Sequence, residues 1–486
     1  MTETLVHPEK AHADEKVTLP TLTAMVVGSM VGAGVFSLPA RFGLATGVYG
    51  AVAAWVIAGL GMLMLCYVFQ NLALRKPDLD AGVFAYAKAG FGDYVGFNSA
   101  FGYWASACVG NCFYWVFIMT TLGTWFPSLG KGDTLLAVAL GSAGVWTFHL
   151  LIARGVKDAA IINRIVTVAK IIPILVFIVI VAVAFDSSVF RENLWGGQEA
   201  GFSTLIDQVK ATMIITTFVF LGIEGATVYS RYAKRREDVG RATLAGFLGV
   251  LSIFSLVTMV SYGVLPRAEL AGARQPSMGS VLESVVGHWG ATFINVGVIV
   301  SVLGAYLAWT LMSAEVLFIP AKHDDMPQFL RRENKAGTPI AALIMTSLFI
   351  QLFLVITLTS DDALNFMLDL CTSLSLIPYL LAAAYALKLT RSGEAYDVAT
   401  EGSLRRRQFL VSALATFYTL FLVYTAGGKF LLVSCIVYAP GTVLYVMARR
   451  ENGKLVFKPL ELALCVLLAA GAIAGVVGLA TGAMTI

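Results

Sequence analysis

The sequence predicts an all-α polytopic membrane protein, and three observations carry that prediction. The chain is too apolar for a soluble globule: of its 486 residues 58% are hydrophobic and 13% charged, with a mean hydropathy of +0.79. Apolar runs of about 20 residues, each long enough to cross a hydrocarbon core roughly 30 Å thick, recur from residue 20 almost to the end. Two of them are interrupted by glycines, Gly28-Ser29-Met30-Val31-Gly32-Ala33-Gly34-Val35-Phe36 and Phe218-Val219-Phe220-Leu221-Gly222-Ile223-Glu224-Gly225-Ala226. A membrane barrel would instead show alternating strands of about ten residues.

Taken in order, the apolar runs place spans near 20–44, 47–72, 94–126, 134–153, 160–185, 207–230, 243–265, 290–318, 338–358, 363–388, 408–427, 430–448 and 459–483, thirteen in all. Residues 1–19 hold Glu3, Glu9, Asp14 and Glu15 and no apolar h-region, so they read as a polar cytoplasmic tail and not as a signal peptide. Lys and Arg alternate with the spans, 26 in the segments on the side of the N-terminus against 7, Arg41 among them, on the other. That excess marks the cytoplasmic side. The N-terminus is then inside, and an odd number of spans puts the C-terminus outside.

The broken spans are the first and the sixth. Because five is odd, halves over 20–185 and 207–388 run oppositely through the bilayer, an inverted repeat. Three accessory spans follow over 408–486. Paired interrupted spans at matching positions are the best sequence pointer to a transporter's substrate site. In span 1, Gly32 and Gly34 let the backbone leave helical geometry, and freed N–H groups around a water-filled cavity bind carboxylates. Gly28 and Gly32 also fit close helix packing, an equal explanation until the second break is weighed. Ser29 and Ser37 stand ready to help.

Glu224 is the sharpest single residue, because a carboxylate in mid-span costs about 2.5–3.5 kcal/mol to insert and faces the interior. It attracts a cationic substrate, carries a proton, or pins the unwound segment. Lys170 is the basic residue deep in an apolar run; it either occupies the place of a coupling cation or snorkels to the interface. Trp309, central in span 8, offers an indole face for a guanidinium or ammonium. Phe218 is placed to act as a lid. Tyr103, Trp104, Ser106 and Asn111 are candidates to line the site from span 3. Glu315 and Asp369 receive no role.

The six cysteines, Cys66, Cys108, Cys112, Cys371, Cys435 and Cys465, form no C-x-x-C pair and read as packing. His149 and His288 stand alone, so no metal or other cofactor is expected. No P-loop, dinucleotide fingerprint, H-E-x-x-H or G-x-S-x-G occurs. The chain therefore reads as neither an enzyme nor an ATP-driven pump, and its net charge of +4 carries no nucleic-acid reading.

The run Gly28 to Pro39, the loop Leu79-Asp80-Ala81-Gly82-Val83-Phe84-Ala85-Tyr86-Ala87-Lys88-Ala89-Gly90-Phe91-Gly92 and the segment Gly222-Ile223-Glu224-Gly225 resemble the amino acid–polyamine–organocation (APC) transporters. Within these the chain is most similar to basic amino acid/polyamine antiporters of the arginine/ornithine kind. The resemblance implies a five-plus-five inverted-repeat core and sodium-independent exchange of cationic amino acids in the plasma membrane, with a homodimer left open. Lysine/cadaverine or arginine/agmatine exchange and proton-coupled uptake remain alternatives. It implies that Ser29, Met30, Gly32, Ala33 and Gly34 line the carboxylate side with backbone from Gly222, and that Trp309 stacks on the side-chain cation. By the same resemblance Glu224 serves proton-dependent gating, Tyr103 is an outer gate, Ser106 and Asn111 are side-chain contacts, and Lys170 fills the place of a sodium ion. Two positions depart from the pattern. Phe218 stands where close relatives usually have Trp, and Ala33 where they have Ser or Gly.

Overall fold

The structure is a computed structural model that describes residues 18–79, 83–155, 159–224, 236–360, 362–397 and 401–484. Residues 1–17 of the expected polar tail, the Asp80–Gly82 part of the loop motif and Gly225 lie outside the described residues, and Leu19 at the end of that tail already opens α1. Helices account for the regular structure, and no strand occurs among the described residues. In chain order they are α1 (Leu19–Met30), α2 (Leu38–Ala45), α3 (Val48–Arg75), α4 (Val83–Phe91), α5 (Asp93–Leu122) and α6 (Leu135–Ala153). Next come α7 (Ala159–Val183), α8 (Ser187–Glu192), α9 (Phe202–Val219), α10 (Arg236–Ser261), α11 (Arg267–Gly272) and α12 (Ser277–Val286). The series closes with α13 (His288–Lys322), α14 (Ile340–Ile356), α15 (Ala363–Ser392), α16 (Gly402–Glu451) and α17 (Pro459–Ala480).

Among the described residues nine helices are long and apolar enough to cross a membrane, and the bent pair α1–α2 makes a tenth. α16 runs for 50 residues, which at 1.5 Å per residue is about 75 Å, more than twice a hydrocarbon core of roughly 30 Å. It divides at Gly427, where φ is 76° and ψ is 165°. That is the position at which the apolar pattern separates two spans. α7 and α9 occupy the positions of the expected fifth and sixth.

Depth in the bundle follows from composition. α5 is the innermost long helix, with 89% of its most apolar window buried, against 6% for α17. Its small residues let neighbours approach closely, as expected where helices associate without a hydrophobic drive between them. α5 packs on α13, α14 and α15; α15 packs on α16, and α1 on α10. The last helix is tethered at its start by Glu461, which is buried and accepts from the backbone N–H of Lys458 (2.9 Å) and of Tyr94 at the start of α5 (3.3 Å).

Arg41 departs from the sequence expectation. It was counted with the outer segments although it falls at the end of the span drawn over 20–44, and it is buried within α2, where its guanidinium pairs with Asp369 of α15 and donates to Asn365 (2.6 Å). A buried cation needs a partner, and the unassigned Asp369 supplies it. The charge bias between the two sides becomes larger without it.

Candidate functional site

The two broken spans meet. α1 ends at Met30, Val31 leaves helical geometry with φ −76° and ψ 92°, and the chain resumes as a 3₁₀ turn over Gly34–Ser37 before α2. The axis bends by 46° across this break. The N–H groups of Gly32, Ala33 and Gly34 donate to nothing among the described residues. They sit at the start of the second half-helix, where N–H groups and the helix dipole favour an anion.

α9 ends at Val219 and gives way to tight turns. Phe220 donates to the Thr217 carbonyl (3.1 Å), Leu221 to Phe218 (3.1 Å) and Ile223 to Phe220 (3.2 Å). Gly222 takes φ 99°, and a Cβ there would lie 2.5 Å from the carbonyl oxygen of Ser29. Both features require glycine. The two breaks are joined directly: Ser29 Oγ donates to the Gly222 carbonyl at 3.2 Å and to Val26 of its own helix at 2.8 Å.

Between them lies a small, largely enclosed cavity. Ten of the residues singled out from the sequence line it: Ser29, Met30, Gly32, Ala33, Gly34, Tyr103, Ser106, Phe218, Glu224 and Trp309. α5 supplies Tyr103 and Ser106, and α13 supplies Trp309, which is half-buried. Phe218 packs edge-on to Phe113, with ring centroids 5.3 Å apart. A Cβ on Gly34 would lie 2.8 Å from the Phe218 ring, so the absence of a side chain at Gly34 is what lets that ring reach the wall.

Glu224 is held from three directions. The hydroxyls of Tyr103 and Tyr379 donate to its two carboxylate oxygens, and the Gly222 N–H donates to Oε2 at 3.2 Å. The carboxylate thus ties the turn of the sixth span to α5 and α15. Of the three roles left open for it, bracing the unwound segment is the one these bonds perform directly. Gly222 uses its N–H on Glu224 and its carbonyl on Ser29, and stands behind the lining.

Three other candidates also stand behind the wall. Asn111 is fully buried and its Nδ2 lies 3.4 Å from Thr310 Oγ1, next to Trp309. Trp104 is buried against Phe349, its indole N–H donating to Thr346 at 3.0 Å. Lys170 is buried, which removes the snorkelling reading; its ammonium donates to the Gly28 carbonyl at 3.3 Å. A cation there meets the negative, C-terminal end of the first half-helix.

Sequence reasoning missed Tyr379, Tyr114, Cys371 and Ser375. Tyr379 had no signal in the chain beyond being an aromatic in an apolar run. Cys371 was read as packing, yet it lines the cavity with Ser375. Ser106 Oγ lies 2.5 Å from Ser375 Oγ and donates to the Cys371 carbonyl at 2.7 Å, a polar strip on an otherwise apolar wall. No group of His, Cys, Asp and Glu that could hold a metal ion occurs among the described residues.

A bundle of apolar helices with two broken spans closing on a buried, partly polar cavity defines a multi-pass membrane transporter. The amino acid permease family model matches residues 17–448, and the chain belongs to this family. It is 44% identical over 480 residues to an arginine/ornithine antiporter of Pseudomonas aeruginosa, covering 98% of this chain and 99% of that protein. It is 38% identical over 489 residues to an L-lysine transport protein of Corynebacterium glutamicum (98% and 97% covered). With an arginine/agmatine antiporter of Chlamydia pneumoniae it shares 36% over 449 residues (91% and 92% covered).

Proposed function

We propose that the protein is a sodium-independent antiporter of the plasma membrane that exchanges a basic amino acid for a related cationic one, arginine for ornithine. The observation that carries this reading is the pairing, in one cavity, of backbone donors at Gly32–Gly34 with the indole of Trp309. The donors suit the α-carboxylate common to all amino acids, and the indole suits a side-chain cation. Similarity to arginine/ornithine antiporters supports the choice of substrates. Lys170, on the Gly28 carbonyl, stands in for a coupling cation in this scheme. Tyr103 and Phe218 close the cavity over the substrate.

The topology belongs to the same proposal: thirteen crossings, an N-terminal tail in the cytoplasm, an inverted-repeat core over 20–388 and three accessory spans over 408–486. Both substrates carry the same net charge, so the cycle is electroneutral. Liposomes loaded with ornithine should accumulate labelled arginine, and empty liposomes should not; equal uptake into both would defeat obligate exchange. Similarity to an arginine/agmatine antiporter favours amino acid/amine exchange as a second reading. That cycle moves charge, so an imposed membrane potential would change its rate and leave arginine/ornithine exchange unaffected.

A further inference from the structure

At the end of the bundle where α15 closes and α16 opens there is a second, solvent-open concavity, lined in part by Arg391, Arg405, Arg406 and Phe409. It lies between the ends of two membrane-crossing helices, and therefore at a membrane surface.

The cations around it divide into two groups. Arg75 is held by Glu401 through two bonds of 2.7 and 2.9 Å and lies over the Tyr396 ring at 4.2 Å, Lys76 pairs with Glu394 at 2.5 Å, and Lys388 donates to the Gly90 carbonyl at 2.6 Å. These take up Glu394 and Glu401, and the lining of the concavity also includes Asp397. Arg391 and Arg406 are exposed, and their guanidinium groups have no partner among the described residues. Arg405 is fixed between them, donating from Nε to the Thr390 carbonyl (2.7 Å) and from an Nη to the Arg391 carbonyl (2.8 Å). It forms a rigid wall that also satisfies the last carbonyls of α15.

Below the guanidinium groups the same helix turns apolar. Leu410, Leu414 and Phe417, one helical turn apart and in line with Arg406, are 56%, 56% and 72% exposed. A cationic concavity that continues into an exposed apolar stripe fits a ligand with an anionic head and hydrocarbon tails. We infer that this is a binding site for an acidic phospholipid, its phosphate held by Arg391 and Arg406 against the wall of Arg405 and its acyl chains lying along α16. Basic pockets at the ends of spans recognise lipid phosphates in this way.

The test needs no transport and is independent of the substrate reading. Full-length protein in detergent is titrated with phosphatidylglycerol and with phosphatidylcholine, and bound lipid is counted by native mass spectrometry. Wild type should retain phosphatidylglycerol in preference to phosphatidylcholine, and Arg391→Gln/Arg406→Gln should bind it at least tenfold more weakly, about fivefold per arginine. Arg391→Lys/Arg406→Lys, which keeps the charge, should recover most of the binding and so exclude misfolding as the cause. Arg332→Gln/Lys335→Gln, removing the same charge from another loop, should bind as wild type does. Equal loss in the two glutamine variants, or unchanged binding in the first, would overturn the site. Displacement of the lipid by an equal concentration of inorganic phosphate would assign the arginines to a soluble anion instead.

Discussion

Glu224 shows how one residue becomes a structural hub. A carboxylate buried in a membrane protein must be neutralised or hydrogen-bonded, and the hydroxyls of Tyr103 and Tyr379 together with the Gly222 N–H do the latter. Removing one donor to an ionised group is worth about 1.5–3 kcal/mol. Tyr379→Phe should therefore lower the thermal midpoint of the purified protein and slow exchange, while Trp309→Leu should leave the midpoint nearly unchanged. The tryptophan acts on the ligand: Trp309→Leu should raise the KM for arginine by about 2- to 30-fold, the equivalent of roughly 0.5–2 kcal/mol of cation–π attraction. Counterflow at graded arginine concentrations measures it, and an unchanged KM would remove Trp309 from the site. Glu224, Lys170 and Trp309 were legible in the chain because each is unusual for its place in an apolar run, and Phe218 because it precedes Glu224 on the broken sixth span. Tyr379 and Ser375 are not unusual, and their importance depends on which helix α15 faces.

The breaks in the first and sixth spans are the elements on which transport rests. Gly222 holds φ 99° and lies so close to Ser29 that a methyl group would meet its carbonyl at 2.5 Å. Gly222→Ala thus adds backbone strain of about 1–3 kcal/mol and forces the two breaks apart. Exchange should fall to background even where enough folded protein is recovered to measure binding, and arginine protection against thermal unfolding should be lost with it. Substitution of Gly249, around which a Cβ meets nothing within 4 Å, is the control that should keep activity. The breaks themselves were readable as glycine punctuation. Their meeting was not, since Ser29 and Gly222 are 193 residues apart and nothing local records a contact between them.

At the scale of the whole molecule, the loop joining α15 to α16 is clamped to the end of α3 by Arg75–Glu401 and Lys76–Glu394. Hydrogen bonds from Arg75 and Lys76 hold both carboxyl groups below their ordinary value of 4.5. A carboxylate with a depressed folded-state value contributes stability above the unfolded value and loses it as pH falls through the folded one. The thermal midpoint of wild type should therefore exceed that of Glu401→Gln at pH 7, and the gap should close as pH drops below about 4.5. A gap that persists in acid would show that Glu401 acts through shape alone. The Arg75–Glu401 pair is only partly buried, so the gap should also narrow in high salt.

The sequence by itself determined the solvent this protein folds in, the places where its first and sixth apolar runs break, and the kinds of residue that can sit at those breaks. Those follow from local rules: hydropathy over about 20 residues, the conformational freedom of glycine, and the penalty on a charge in hydrocarbon. The tertiary structure decided what those residues touch. It paired Arg41 with Asp369, placed Lys170 on the Gly28 carbonyl, moved Asn111 and Trp104 behind the cavity wall, recruited Cys371 to that wall and brought Tyr379 onto Glu224. The physical reason is that an apolar helix in a bilayer has no solvent-imposed inner face. Which side of α5, α13 or α15 turns inward is settled by packing and by polar partners far away in the chain.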